Sequence, residues 1–171
     1  MSMWLKNRAR IGWQLAWMLS LIGSIEAQAE GWGENTRVGD LAVFELAGDI
    51  PEIEGKVTLI DFWASWCAPC KAAFPEMEKL YRKYKDEGFQ ILAVSVDQKA
   101  QLMERFLERQ KPSFATAHDA NQLMVKSAQI EVMPSSFLID RKGIVRFNHE
   151  GWHGDKSVES LNEQIKTLLD E

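Results

Sequence analysis

The chain holds two cysteines, both in the stretch Trp66-Cys67-Ala68-Pro69-Cys70-Lys71. Two thiols separated by two residues, just after a strand-like run in a βαβ setting, are the sequence form of a dithiol that cycles through a disulfide. The nucleophile in that chemistry is a thiolate, so one sulfur must be both acidified and reachable. Cys67 is the candidate nucleophile. Cys70, one helical turn further in, is the candidate resolving thiol, and it must lose a proton before it can attack. Asp61 is the candidate base, because an acid inside the apolar run Val57-Thr58-Leu59-Ile60-Asp61-Phe62-Trp63 is expensive unless paired or neutralised.

Other uses of a cysteine pair fit less well. Cys67, Cys70, His149 and His153 supply the ligand types of a Cys2His2 zinc site, but 78 residues separate the pairs where a finger has ~12–15. No metal is expected, and the three histidines read as surface or locally bonded groups. An inert structural bridge with a two-residue spacer would close almost no loop. A peroxidase would need a further cysteine. A copper-handling dithiol remains open, since soft thiolates suit Cu(I).

The elements around the pair give it a place. Val57 to Trp63 has the composition of a strand buried on both faces. A helix follows from about Pro69, where proline is tolerated in the first turn. Met77, Leu80, Tyr81 and Tyr84 form its apolar face, Gly88 marks its end, and Pro75 is expected to kink it. Phe89 to Val96 reads as a second buried strand. Asp97 is the expected N-cap of a helix with Leu102, Met103, Phe106 and Leu107 on one face. Phe114 to Ala117 is a brief third strand, and Asp119 with Gln122 resembles a capping box for a helix to about Ala128. Ser135 to Ile139 and Ile144 to Asn148 make an antiparallel hairpin through Asp140-Arg141-Lys142-Gly143. A last helix from about Asp155 buries Val158, Leu161, Ile165 and Leu168. Ahead of the first strong strand, residues 31–40 read as a loose lead-in and Leu41 to Leu46 as a short strand. The expected fold is α/β: a central mixed sheet with helices on both faces, and Cys67 where a central strand ends and a helix begins.

At 171 residues, 46% of them hydrophobic, one domain is expected. The formal charge of −5 excludes a nucleic-acid partner, which would demand a basic stripe. Lys6, Arg8 and Arg10, the apolar run 11–25 and Ala27-Gln28-Ala29 have the form of a secretory signal, so residues 1–29 are expected to be cleaved, leaving a domain of 30–171. The alternative is a membrane anchor through 11–25, a run shorter than the ~20 residues a spanning helix needs. Without residues 1–29 the chain carries 17 basic and 24 acidic groups, a formal charge of −7. Export puts the thiols in a periplasmic or otherwise extracytoplasmic compartment, where disulfides persist unless actively reduced.

These residues together resemble the thioredoxin superfamily, and within it the exported TlpA/ResA-like thiol–disulfide oxidoreductases. The likeness is carried by Val57 to Phe62, Trp63-Ala64-Ser65-Trp66-Cys67-Ala68-Pro69-Cys70-Lys71, Phe74-Pro75, Met133-Pro134 and Ser135-Ser136-Phe137-Leu138-Ile139-Asp140 with Gly143, and spans roughly residues 38 to 170. The resemblance implies a thioredoxin-like fold, a cis bond between Met133 and Pro134 with Pro134 beside the disulfide, and no cofactor beyond the Cys67–Cys70 pair. A carboxylate common in this branch three residues after the second cysteine is replaced by Ala73. Asp61 stands where thioredoxins bury an aspartate, and the position of its usual lysine partner aligns with Ala93.

Trp66, Ala68, Pro69, Met133 and Pro134 are the expected substrate-contacting residues, with Trp63 either beside them or in the core. No cation lies between the cysteines to stabilise a reduced thiolate strongly, as a potent oxidant requires. The expected function is therefore reduction of disulfides in protein substrates by a monomer, fed by a membrane-bound thiol donor as the resemblance implies. Cytochrome c assembly is one setting for it, and an oxidant is the alternative direction.

Overall fold

The computed structural model describes residues 31–171. The expected signal segment, its cleavage after Ala29 and the anchor alternative lie outside the described residues. Six strands form one sheet: β1 (Ala47–Gly48), β2 (Val57–Trp63), β3 (Phe89–Ser95), β4 (Ala115–His118), β5 (Ser135–Ile139) and β6 (Val145–Glu150), in the order β1-β4-β3-β2-β5-β6. β2, β3 and β4 are parallel, while β1, β5 and β6 run antiparallel to their neighbours. The helices are α1 (Ala68–Tyr84), α2 (Ala100–Gln110), α3 (Leu123–Ala128) and α4 (Asp155–Leu169).

Connectivity explains the layering. Two successive crossovers, β2-α1-β3 and β3-α2-β4, travel the same way along the sheet, and a constant right hand puts both helices on one face. The chain then returns to the far side of β2 to form β5, with α3 on the other face. One core accordingly joins α1, α2 and α4 to Leu59, Trp63, Ile91 and Leu138, and the second joins α3 and the lead-in to Ile60, Phe62, Leu92 and Phe137. β2 lies between both layers and all seven of its residues are buried, which is why its sequence is apolar without alternation. The mixed α/β sheet with helices on both faces is as expected.

Several local expectations change. Leu41–Phe44 forms a 3-10 helix capped by Asp40, whose carboxylate accepts the Ala42 N–H, so the strand expected over Leu41 to Leu46 does not form, and β1 lies just after it in the stretch expected as a connector. The lead-in is docked rather than loose: Trp32 is buried, its ring 6.0 Å from Phe62 and 5.5 Å from Phe137. α1 carries Pro75 inside it and the segment ends at Gly88 with φ 99°, both as expected, but its last residues after Tyr84 tighten into a short 3-10 turn. Asp97 does not cap α2, whose N-cap is Lys99. On α2 only Phe106 is fully buried, and Leu102 is exposed. The expected capping box is replaced by a wider arrangement in which both oxygens of Asp119 accept N–H groups, from Leu123 and Val125. On α4, Leu161, Ile165 and Leu168 are buried but Val158 only partly, and Ser157 takes an inward position.

Candidate active site

Cys67 and Cys70 are joined as a disulfide with Cα atoms 5.3 Å apart. Cys67 is the N-cap of α1, and its Sγ accepts the Cys70 N–H at 3.2 Å. This is the place a serine or aspartate oxygen usually takes: a side-chain acceptor satisfying a donor that the first turn leaves unpaired. Once reduced, a thiolate at Cys67 would meet the same N–H and the positive end of a 17-residue helix. The first turn of α1 contains no acidic residue to oppose it. Both cysteines are largely buried, at 5% and 1% exposure, with Cys70 the deeper, while the spacer residues Ala68 and Pro69 are exposed.

The loop leading to Cys67 is held from below by a group the sequence reading misplaced. Asp97 is fully buried. Its Oδ2 accepts the Ser65 N–H at 2.9 Å and the Ser95 hydroxyl at 3.0 Å, and its Oδ1 accepts the Ser65 hydroxyl at 2.8 Å. The Asp97 carbonyl accepts the His118 Nε2–H at 2.6 Å, so this buried histidine carries its proton on Nε2. Asp97 thus ties the segment before Trp66-Cys67 to the ends of β3 and β4. An aspartate two residues past a strand signals a helix cap in sequence, and only the fold reveals Ser65 opposite it.

The two tryptophans separate. Trp63 has no exposure and packs at 4.8 Å from both Phe74 and Phe106, an aromatic cluster worth ~0.5–1.5 kcal/mol per pair beyond its area. It is core. Trp66 is 66% exposed beside the disulfide.

The Met133–Pro134 bond is cis. Pro134 is buried and directly precedes Ser135, which pairs with Phe62 near the carboxyl end of β2. Its carbonyl accepts the Gly151 N–H at 2.7 Å, and the Ser135 hydroxyl donates to the Val132 carbonyl at 2.7 Å. Met133 is half-buried and packs against the core that contains both cysteines.

Asp61 follows Leu59 and precedes Trp63 on the β2 face that α1 covers, because side chains alternate along a strand. Its in-register neighbours are Ala93 on β3 and Ser136 on β5. Burial pushes its carboxyl from 3.8 up to about 7, against a smaller downward pull from the Ser136 hydroxyl, which donates to Oδ1 at 2.7 Å. Oδ2 is buried without a hydrogen-bond partner among the described residues. Ala73 is buried on the α1 side of the same core, so no carboxylate enters there. Ser136 is the contact that sequence reasoning missed: nothing local marks a serine 75 positions away as the partner of Asp61.

His149 Nε2 is engaged with Gln164 Oε1 at 2.7 Å and His153 Nε2 faces the Glu150 carbonyl at 3.3 Å. Among the described residues no three His, Cys, Asp or Glu side chains gather as a metal site, so the Cys2His2 set is not assembled. No helix among them is long and apolar enough to cross a membrane.

The family model for redoxin matches residues 47–165, more than half of the chain. The chain belongs to the redoxin family. The redoxin is 33% identical over 118 residues to the thiol-disulfide oxidoreductase ResA of Halalkalibacterium halodurans, covering 69% of this chain and 67% of that one. It is 31% identical over 132 residues to ResA of Bacillus thuringiensis subsp. konkukian, covering 75% of each. Among solved structures it superposes on a Chlorobium tepidum protein described as a candidate thiol:disulfide interchange protein DsbE, with a TM-score of 0.71, 33% identity and coverage of 82% and 98%. This redoxin is a thiol–disulfide oxidoreductase of the thioredoxin superfamily, on its ResA/TlpA-like side.

Proposed function

We propose that this redoxin reduces disulfides in exported protein substrates. The observation that carries the reading is Cys67 as the N-cap of a long helix, its sulfur already accepting the Cys70 N–H, with only Ala68 and Pro69 between the cysteines. That setting acidifies Cys67 through backbone dipoles. It places no cation between the cysteines of the kind that makes a dithiol strongly oxidising.

In the cycle, the Cys67 thiolate attacks a substrate disulfide, forming a mixed disulfide and expelling one substrate thiolate, which takes a proton from water. Cys70 passes its proton to Asp61 and attacks the Cys67 sulfur. The second substrate thiolate leaves and is protonated, and two electrons have moved from the dithiol to the substrate. Asp61 serves as base because an acid poised near neutrality accepts and returns a proton within the working pH range. Exposed Trp66 with Ala68, Pro69, Met133 and Pro134 forms the substrate-contacting rim. A membrane-bound thiol donor regenerates the dithiol, and residues 1–29 direct export and are removed. The likeness to ResA and to the DsbE-type protein supports protein disulfides as substrates, and the signal-like N-terminus supports an extracytoplasmic setting.

The test is a reductase assay on a disulfide-bonded protein with wild type, Cys67→Ser and Cys70→Ser. Loss of all activity in Cys67→Ser and accumulation of a Cys67-linked mixed disulfide in Cys70→Ser are expected. Turnover by Cys70→Ser at the wild-type rate would overturn the resolving role of Cys70.

A further inference from the structure

A carboxylate buried in a sheet takes its character from the two residues beside it, and Asp61 has unequal ones. Ala93 offers a methyl group. Ser136 offers a hydroxyl, held on β5 by the antiparallel ladder with β2, and that hydroxyl is spent on Oδ1. With Oδ1 engaged and Oδ2 buried without a partner, the two oxygens of Asp61 are no longer equivalent.

We propose that Ser136 is the positioning residue of the exchange step: it anchors Asp61 through Oδ1 so that Oδ2 is the oxygen that receives the Cys70 proton. This deepens the reading of Asp61 as base and rests on it. A carboxyl with neither oxygen anchored can turn about its last bond and present either one. A single short hydrogen bond removes that freedom, and because it is donated to the ionised form it also favours that form. Ser136 thereby opposes part of the upward push that burial exerts, where Ala93 leaves no cation to do so.

Few other titratable groups face this layer. α1 brings Cys67 and Cys70 once reduced, the partly buried Tyr81, and Tyr84, whose hydroxyl donates to Asn162 Oδ1 at 2.8 Å. β3 brings Ala93, α2 brings Phe106, and α4 packs through Leu161, Ile165 and Leu168. β6 brings His149, in register with Ser136 and bound to Gln164 of α4. His149 is therefore the group whose charge has to be separated from the effect of Ser136.

The experiment is the pH dependence of disulfide closure, followed as the rate at which the reduced full chain is oxidised by a disulfide substrate. Ser136→Ala is compared with wild type, and Ser136→Val with Ser136→Thr, a pair of equal shape suited to a strand and differing only in the hydroxyl. His149→Gln and Asp61→Asn are the controls. Losing a hydrogen bond to a charged group should raise the midpoint of the acid limb by about one pH unit in Ser136→Ala and Ser136→Val. Ser136→Thr and His149→Gln should keep the wild-type midpoint. Asp61→Asn should lose the part of the acid limb that Ser136→Ala moves and keep only that of the Cys67 thiolate, on which the first attack depends. An unshifted midpoint in the Ala and Val variants, with that part of the limb lost in Asp61→Asn, would overturn the role of Ser136 and leave the base in place. An acid limb in Asp61→Asn unchanged from wild type would overturn both. A shift in His149→Gln as large as that in Ser136→Ala would assign the effect to the histidine.

Discussion

Replacing Asp61 with Asn should stabilise the protein, and by an amount that depends on pH. Burial raises the Asp61 carboxyl from 3.8 in the unfolded chain to about 7 in the fold. Between those values the unfolded chain has released the proton while the folded chain still holds it, so stability falls as pH rises through that window. The effect is absent below the unfolded pKa and complete above the folded one. At 1.36 kcal/mol per pKa unit it amounts to at most about 4 kcal/mol. Asn keeps an acceptor for the Ser136 hydroxyl and nearly the same volume, yet never ionises. Denaturant unfolding of the oxidised wild type and Asp61→Asn at pH 4 and pH 8.5 reads the difference, since contributions common to both proteins cancel. The variant should match wild type within about 1 kcal/mol at pH 4 and exceed it by about 3–4 kcal/mol at pH 8.5. A difference that does not change with pH, or a variant less stable than wild type at pH 8.5, would show that Asp61 is satisfied as an ion and refute the reasoning.

Two other substitutions separate positioning from contact. Asp97→Ala strips the acceptor from the Ser65 N–H and hydroxyl and from the Ser95 hydroxyl, so it should lose about 3 kcal/mol of stability by thermal unfolding and slow reduction of every substrate. Trp66→Ala removes an exposed ring, so stability should stay within about 0.5 kcal/mol of wild type. Its kcat/KM for a disulfide-bonded protein should fall about tenfold, while that for a small aromatic disulfide should change little.

What the sequence revealed and what it concealed follow one physical division. The buried strand, the cysteine turn and the start of α1 were legible because their signals are local: a continuous β-rich run, a C-x-x-C and a proline in the first helical turn. Asp61 was legible as an anomaly, an acid where acids are costly. Its partner was not, because Ser136 meets it across a strand pairing that no local pattern encodes. Asp97 was misread for the same reason. Its local setting is that of a helix cap, and its carboxylate serves Ser65, 32 positions back. The Gly and polar content around Trp32 reads as loose and says nothing of the paired rings of Phe62 and Phe137 against which Trp32 packs. The cis bond before Pro134 entered only through the resemblance, since an X–Pro bond is ordinarily trans.

The central claim is that Cys67 and Cys70 form a reducing couple, acidified by the helix terminus and not by a cation between them. Equilibrium of the purified protein with glutathione buffers of known ratio gives its potential directly. A value near −270 mV, about that of thioredoxin, is the result predicted, and a value near −120 mV, about that of a strong oxidant of exported proteins, would contradict it.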